Sequence, residues 1–174
     1  QEKYRRTKKY GSKSPLNIKI ICVGKLKEKY LKMAQDEYLK RLGPYAKVEV
    51  IEIKDEDIKE NFSESEVELA KEKEGTGILS KIKDRDLVFT LEIEGKQRTS
   101  EEFASEIEDM MVHGNSDVAF VIGGSCGISK EVMARSDRKI SFSKMTFPHQ
   151  IIRINLLEQI YRAFKIIKNE PYHK

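Results

Sequence analysis

Three stretches of the 174-residue chain hold residue types that could do chemistry. Gly123, Gly124 and Gly127 follow a wholly apolar run at 118–122. Glycines after a strand let a ligand approach the backbone and present N–H groups at the carboxyl edge of a sheet. A tight strand-to-helix turn needs them too. The second stretch, 141–150, reads SFSKMTFPHQ. Ser143 and Thr146 offer hydroxyls, and Phe142, Met145 and Phe147 offer apolar walls. That mixture suits an adenosyl group, and packing residues could look the same. Pro148 fits the first position of a helix, which puts His149 in the first turn. The helix dipole there disfavours added positive charge, so a neutral imidazole could accept a proton, or simply cap the helix. Arg153 then falls inside the helix's apolar arc, where a charge is costly unless paired. A bound anion or a carboxylate partner would account for it. The first is preferred, with the expectation that removing the charge leaves stability equal or higher. The third stretch is the end, Tyr172-His173-Lys174, which offers stacking, hydrogen bonding and charge, or only fraying.

The spacing GGxxG differs from the GxGxxG of dinucleotide sites, and it follows a late strand where that fingerprint follows the first. No acidic residue stands about 20 residues further on and no Walker lysine is in place, which disfavours a Rossmann dehydrogenase and a phosphate-loop enzyme. A pocket built from loops 123–127 and 142–147 is favoured.

The elements that must position these residues alternate in type. Strands are expected at 18–23, 47–53, 87–93, 118–122 and 139–142. Helices are expected at 28–42, 63–82, 100–112, near 129–135, and at 148–169. Ser63 with Glu66 three residues later forms a capping-box pattern, and Gly75 and Gly77 are candidates to interrupt that helix. Such alternation implies an α/β fold with a mainly parallel sheet flanked by helices. The last helix carries an apolar arc of roughly 200°, against the ~100° stripe typical of a surface helix. The surplus is expected against a second subunit, with deep burial in one chain as the other solution.

Apolar residues make up 39% and charged residues 36%, too apolar for a disordered chain and too charged for a membrane protein. The two cysteines, Cys22 and Cys126, show no metal or redox spacing, so no metal, no membrane and a reducing cytoplasm are expected. The net charge of +4 hides segregation. Residues 1–16 contribute +5 and are expected to be a disordered basic leader, native or an expression remnant, ahead of one domain at 17–174. Residues 17–48 carry +5, residues 49–117 carry −12, and residues 128–174 carry +6. A polyanion would be steered toward the ends and away from the middle.

At these residues the chain resembles the RlmH family of SPOUT-class methyltransferases. The likeness runs from Asn17 to Lys174. It is carried by Val23-Gly24-Lys25-Leu26-Lys27, Tyr38 to Leu42, Thr90-Leu91-Glu92 with Gly95, Phe120 to Gly124, Ser141 to Gln150, Glu158 to Ala163, and Tyr172-His173-Lys174. Cys126 departs from the polar residue often seen in that glycine loop. The resemblance implies a C-terminal trefoil knot, a homodimer and S-adenosyl-L-methionine held by Leu91, Gly123 and the run Phe142, Ser143, Lys144, Met145, Thr146 and Phe147. It implies methylation of ring nitrogen 3 of a pseudouridine in 23S rRNA, within the large subunit or the assembled ribosome. Candidate catalytic residues are His149 as base or orienter, Arg153 as anion clamp, and Tyr172 and His173 contacting the RNA. A non-catalytic RNA-binding adaptor of the same fold is the alternative.

Overall fold

A computed structural model describes residues 16–174. The expected basic leader lies outside the described residues, apart from Leu16, which opens the first strand and is buried. The elements run β1 (Leu16–Val23), α1 (Lys29–Leu42), β2 (Ala46–Ile53), α2 (Glu64–Leu79), β3 (Leu87–Gln97), α3 (Ser100–Val112), β4 (Asp117–Ile122), α4 (Lys130–Arg135), β5 (Arg138–Ser141) and α5 (His149–Ile167). The described strands form one all-parallel sheet in the order β2-β1-β4-β3-β5. β4 is central. A strand covered on both faces cannot alternate with polar residues, which is why 118–122 is continuously apolar. Val118, Phe120 and Ile122 face one layer, and Ala119 and Val121 face the other.

The first layer packs α1, α3 and α5 against the sheet through Leu42, Phe103, Ile107, Leu156, Leu157, Ile160 and Phe164. The second, smaller layer holds α2 and α4 through Ile78 and Val132. No helix among the described residues is long and apolar enough to cross a membrane.

Local signals set the helix starts. Ser63 caps α2 and Thr99 caps α3, each with a reciprocal glutamate, Glu66 and Glu102. Three expectations change. Pro148 is the residue before α5 and not its first turn. β3 runs on to Gln97, and its pairing with β5 slips so that both Leu91 and Lys96 oppose Ile140. The intervening residues bulge, and Gly95 allows it, because a Cβ there would come within 2.6–2.9 Å of the Lys139 and Ile140 backbone. Finally, the broad apolar arc of α5 is filled within the chain. The helix wedges between α1 and α3, leaving only Ile151 among its large apolar residues well exposed. The arc therefore supplies no argument for a second subunit.

Gly75 and Gly77 do not interrupt α2. They let it approach its neighbours: a Cβ at Gly77 would stand 2.7 Å from the Ile53 side chain, and one at Gly75 would collide with Ser129 Oγ. Ser129 is itself buried and caps α4 by accepting from Val132 N–H. Alanine in a helix interior normally stabilises by about 1 kcal/mol over glycine. Gly75→Ala should do the reverse, destabilising by about 1–3 kcal/mol through overpacking, measured by urea unfolding. A neutral or stabilising result would mean that α2 does not press on α4.

Candidate functional site

The carboxyl ends of the adjacent strands β4, β3 and β5 open into a cleft of about 370 Å³. That is within the usual range for small-molecule sites. Each strand supplies one wall. β4 runs into Ile122, Gly123 and Gly124, and the chain turns at once, with Gly127 N–H donating to Gly124 O at 3.1 Å. Gly127 has φ +89°, the left-handed region that favours glycine. β3 supplies Leu91 and the bulged Glu92, Ile93 and Glu94. Past β5, the segment 142–147 folds over the opening. Ser141 Oγ donates to Ser143 O at 2.9 Å, and Met145 N–H donates to Ser143 Oγ at 3.0 Å, a local turn that needs no further partner.

The cleft brings together Leu91, Gly123, Phe142, Ser143, Met145, Thr146 and Phe147, with His149 beside them. Lys144 is exposed and does not line it. Met145 is 71% exposed, so the rim is apolar and open. A Cβ on Gly123 would meet Ile128 at 2.8 Å and the Gly127 carbonyl at 3.1 Å. A larger residue at Gly123 would therefore deform the turn before it filled the cleft. The sequence signal missed Glu92, Glu94 and Ile128. The strand was expected to end at 93, and a bulge that sets Glu92 and Glu94 at the cleft leaves no periodic signal.

Beneath the glycine turn lies Glu74, from α2, only 2% exposed. Its Oε2 accepts from Glu56 N–H at 3.0 Å, and its Oε1 accepts from Cys126 Sγ–H at 3.2 Å. Burial raises the Glu74 pKa, and the Asp55 carboxyl beside it adds to the shift. The Cys126 thiol is pushed up to about 12, by burial first and by Glu74 second. The cysteine therefore serves as a protonated donor under the turn. His149 Nε2 and Asp55 Oδ2 both lie 3.6 Å from where a Gly24 Cβ would stand, so the loop after β1 packs behind His149, which lines the cleft.

Arg153 is not in the cleft. It is 1% exposed, and its guanidinium reaches across the sheet's edge. Nη1 donates to Glu52 Oε2 at 2.9 Å and to Gln35 Oε1 at 3.3 Å, and Nη2 donates to Gly24 O at 3.1 Å. The cost of burying the charge, expected to fall to a bound anion, is met by a carboxylate. Nε has no partner among the described residues.

Tyr172 and His173 are also away from the cleft, and they are not frayed. Tyr172 Oη donates to Glu158 Oε1 at 3.0 Å, its ring meets Tyr161 edge-on at 4.8 Å, and Arg162 lies 4.7 Å from its centroid. Burial first, then Glu158, pushes the Tyr172 pKa up to about 12. His173 bridges Arg162 at 3.1 Å and Glu101 at 2.6 Å. Glu158 lines a second hollow that shares Ile140, Phe142, Ser143 and Phe147 with the cleft. Glu158 and Arg162 are one helical turn apart, the one signal that could have placed the tail's anchor.

A family model described as "Predicted SPOUT methyltransferase" matches residues 16–173. The chain is 60% identical over 159 residues to the Ribosomal RNA large subunit methyltransferase H of Clostridium beijerinckii, covering 91% of this chain and 100% of that one. It is 61% identical, with the same coverage, to the proteins of that name from Bacillus thuringiensis and Bacillus anthracis.

Two outcomes follow from the buried charges. Arg153→Met leaves Glu52 and the Gly24 carbonyl without their donor. Because Glu52 is 36% exposed, water softens the loss, and we expect destabilisation by about 2–3 kcal/mol in chemical denaturation. Equal or higher stability would return the arginine to the role of an anion clamp. For Glu74, a raised folded pKa means a contribution complete below the ordinary value of 4.5 and lost as pH rises through the folded value. Glu74→Gln should therefore gain in melting temperature over the native protein between about pH 4 and about pH 7.5. The native protein gaining instead would show that Glu74 is stabilised as the anion.

Proposed function

The chain belongs to the SPOUT methyltransferase family, and from that premise we propose that it transfers a methyl group from S-adenosyl-L-methionine to ring nitrogen 3 of a pseudouridine in the 23S rRNA of the large ribosomal subunit. The cleft at the ends of β4, β3 and β5 carries the reading. Its residues fit the cofactor: apolar walls for the adenine, a glycine turn allowing close approach, hydroxyls at Ser143 and Thr146, and the carboxylates of Glu92 and Glu94 near a cationic centre. When bound, the cofactor supplies an electrophilic methyl group on its sulfonium.

The chain's own residues hold the reactants and manage one proton. Orientation of the two reactants in the cleft supplies much of the acceleration. The imide nitrogen of the acceptor must lose its proton, and His149, in the cleft wall, is the base or orienter. Arg153 braces the loop that packs beside His149. Tyr172 and His173 do not line the same chain's cleft. In this reading they reach the cleft of a second protomer, and the C-terminal segment is threaded as the family's trefoil knot. Met33 and Ile151, both exposed, give a second copy apolar surface to cover. The relatives' names bring the RNA of the large subunit to this chain, and with it a cytoplasmic location.

The test is transfer of labelled methyl from S-adenosyl-L-methionine to purified large subunits or ribosomes, with the product mapped by nuclease digestion, beside calorimetric titration of the cofactor. Thr146, exposed on the rim, can be changed without disturbing the core. Thr146→Trp should weaken cofactor binding at least tenfold, about 1.4 kcal/mol, with little change in melting temperature. Unchanged affinity would move the cofactor elsewhere. RNA binding with no methyl transfer would favour the adaptor.

A further inference from the structure

The loop after β1, which packs behind His149, leads straight into a basic surface that the site so far described does not use. Lys25, Lys27, Lys29 and Lys32 are all exposed, and none makes an ion pair or hydrogen bond with a described residue. Tyr30 stands among them, 67% exposed, an unusual position for a large ring. The surface is rigid at its root. Leu26, 5% exposed, plugs into the core between Lys25 and Lys27 and turns both outward. Gly24, at φ +89°, donates to Ile53 O at 2.8 Å and accepts from Arg153 at 3.1 Å. Stability does not explain the charges, since Lys29 and Lys32, in the first turn of α1, oppose the helix dipole, with the exposed Glu28 at the N-cap beside them. Nor does intrachain pairing. The root touches the cleft, because His149 Nε2 lies 3.6 Å from the Gly24 Cβ position.

We infer that this surface is a phosphate-docking platform for the substrate RNA, with Lys25, Lys27 and Lys29 on successive backbone phosphates and Tyr30 stacked on an unpaired base. It rests on the proposed reading in that the nucleic acid is taken to be the methyl acceptor. The platform acts on docking and not on the transfer step. Phosphate contacts give affinity that falls with salt and carries little sequence information, whereas stacking on a ring tolerates any base.

The experiment compares the native protein, the triple variant Lys25→Ser/Lys27→Ser/Lys29→Ser, Tyr30→Ser, and a control of equal charge loss on the opposite layer, Lys73→Ser/Lys81→Ser/Lys83→Ser. Cofactor affinity, binding of a fluorescent 23S rRNA fragment, and methyl transfer to large subunits are measured across a salt series. The triple variant should bind the RNA and show kcat/KM at least tenfold weaker, with kcat at saturation within about twofold and cofactor affinity unchanged. Its log–log salt slope should be flatter by about two to three, roughly 0.7–0.9 for each lost phosphate. Tyr30→Ser should weaken binding several-fold without changing the slope. An unchanged slope, an equal loss in the control, or a loss seen on whole subunits but not on isolated RNA, which would mean a ribosomal protein partner, would overturn the platform. If the native protein methylates nothing yet its RNA binding depends on these lysines, the platform stands and the methyl-transfer reading falls.

Discussion

A single buried guanidinium ties the last helix to the first strand. Arg153 sits in the second turn of α5, yet its partners come from α1, β2 and the loop after β1. A parallel sheet has no hairpins to hold its carboxyl edge together, so each loop there is free unless something crosses between them. Arg153 is that crosspiece. By donating to Gly24 O it holds a left-handed glycine in place and keeps the β1 loop against His149. A fully desolvated charge is an expensive brace. Its advantage over an apolar contact is direction: the planar fork meets three acceptors at fixed angles and sets the start of α5 relative to the sheet.

With that edge fixed, the cleft arises from departures from regularity in the three neighbouring strands. β3 slips against β5 and throws Glu92 to Glu94 outward, β4 ends in glycines, and β5 is short and leads into a self-bonded turn. Glycine serves closeness more than flexibility here. Gly75, Gly77 and Gly95 stand where a Cβ would strike a neighbour. The acid under the turn has a related role. Glu74 binds Glu56 N–H and the Cys126 thiol, so α2 in the second layer reaches through to the floor of the cleft.

Most of the fold was legible because its signals are local. The capping box at Ser63, the alternation in β2 and the continuous apolar run of β4 each involve neighbours within a few residues. Much of the cleft's lining was legible for the same reason, being one contiguous segment and one glycine loop. What was not legible depends on distant partners. Glu52 is 101 residues from Arg153, and Glu101 is 72 from His173. An apolar arc likewise shows that α5 must be covered but not by what. The chain itself covers it, because α1 and α3 lie on the same side of the sheet. The extension of β3 escaped notice because a bulge breaks the period that would reveal it.

The charge segregation in the sequence resolves into a polarity of the molecule. The acids of α3 are consumed close to home: Glu106 pairs with Arg98 and Arg138, and Glu101 pairs with His173. These pairs neutralise part of the acidic middle against part of the basic end and tie α3 to the tail. α2 keeps much of its acidity at the surface in the opposite layer, with Lys71 answering only Glu68. Lys25 and Lys27 in the loop before α1, and Lys29 and Lys32 in its first turn, have no ion-pair or hydrogen-bond partner among the described residues. A cluster of positive charge without partners among the described residues therefore stands at the loop beside His149, and much of the unpaired negative charge stands on α2 across the sheet. A polyanion approaching such a field turns until the loop beside His149 faces it, before any specific contact forms.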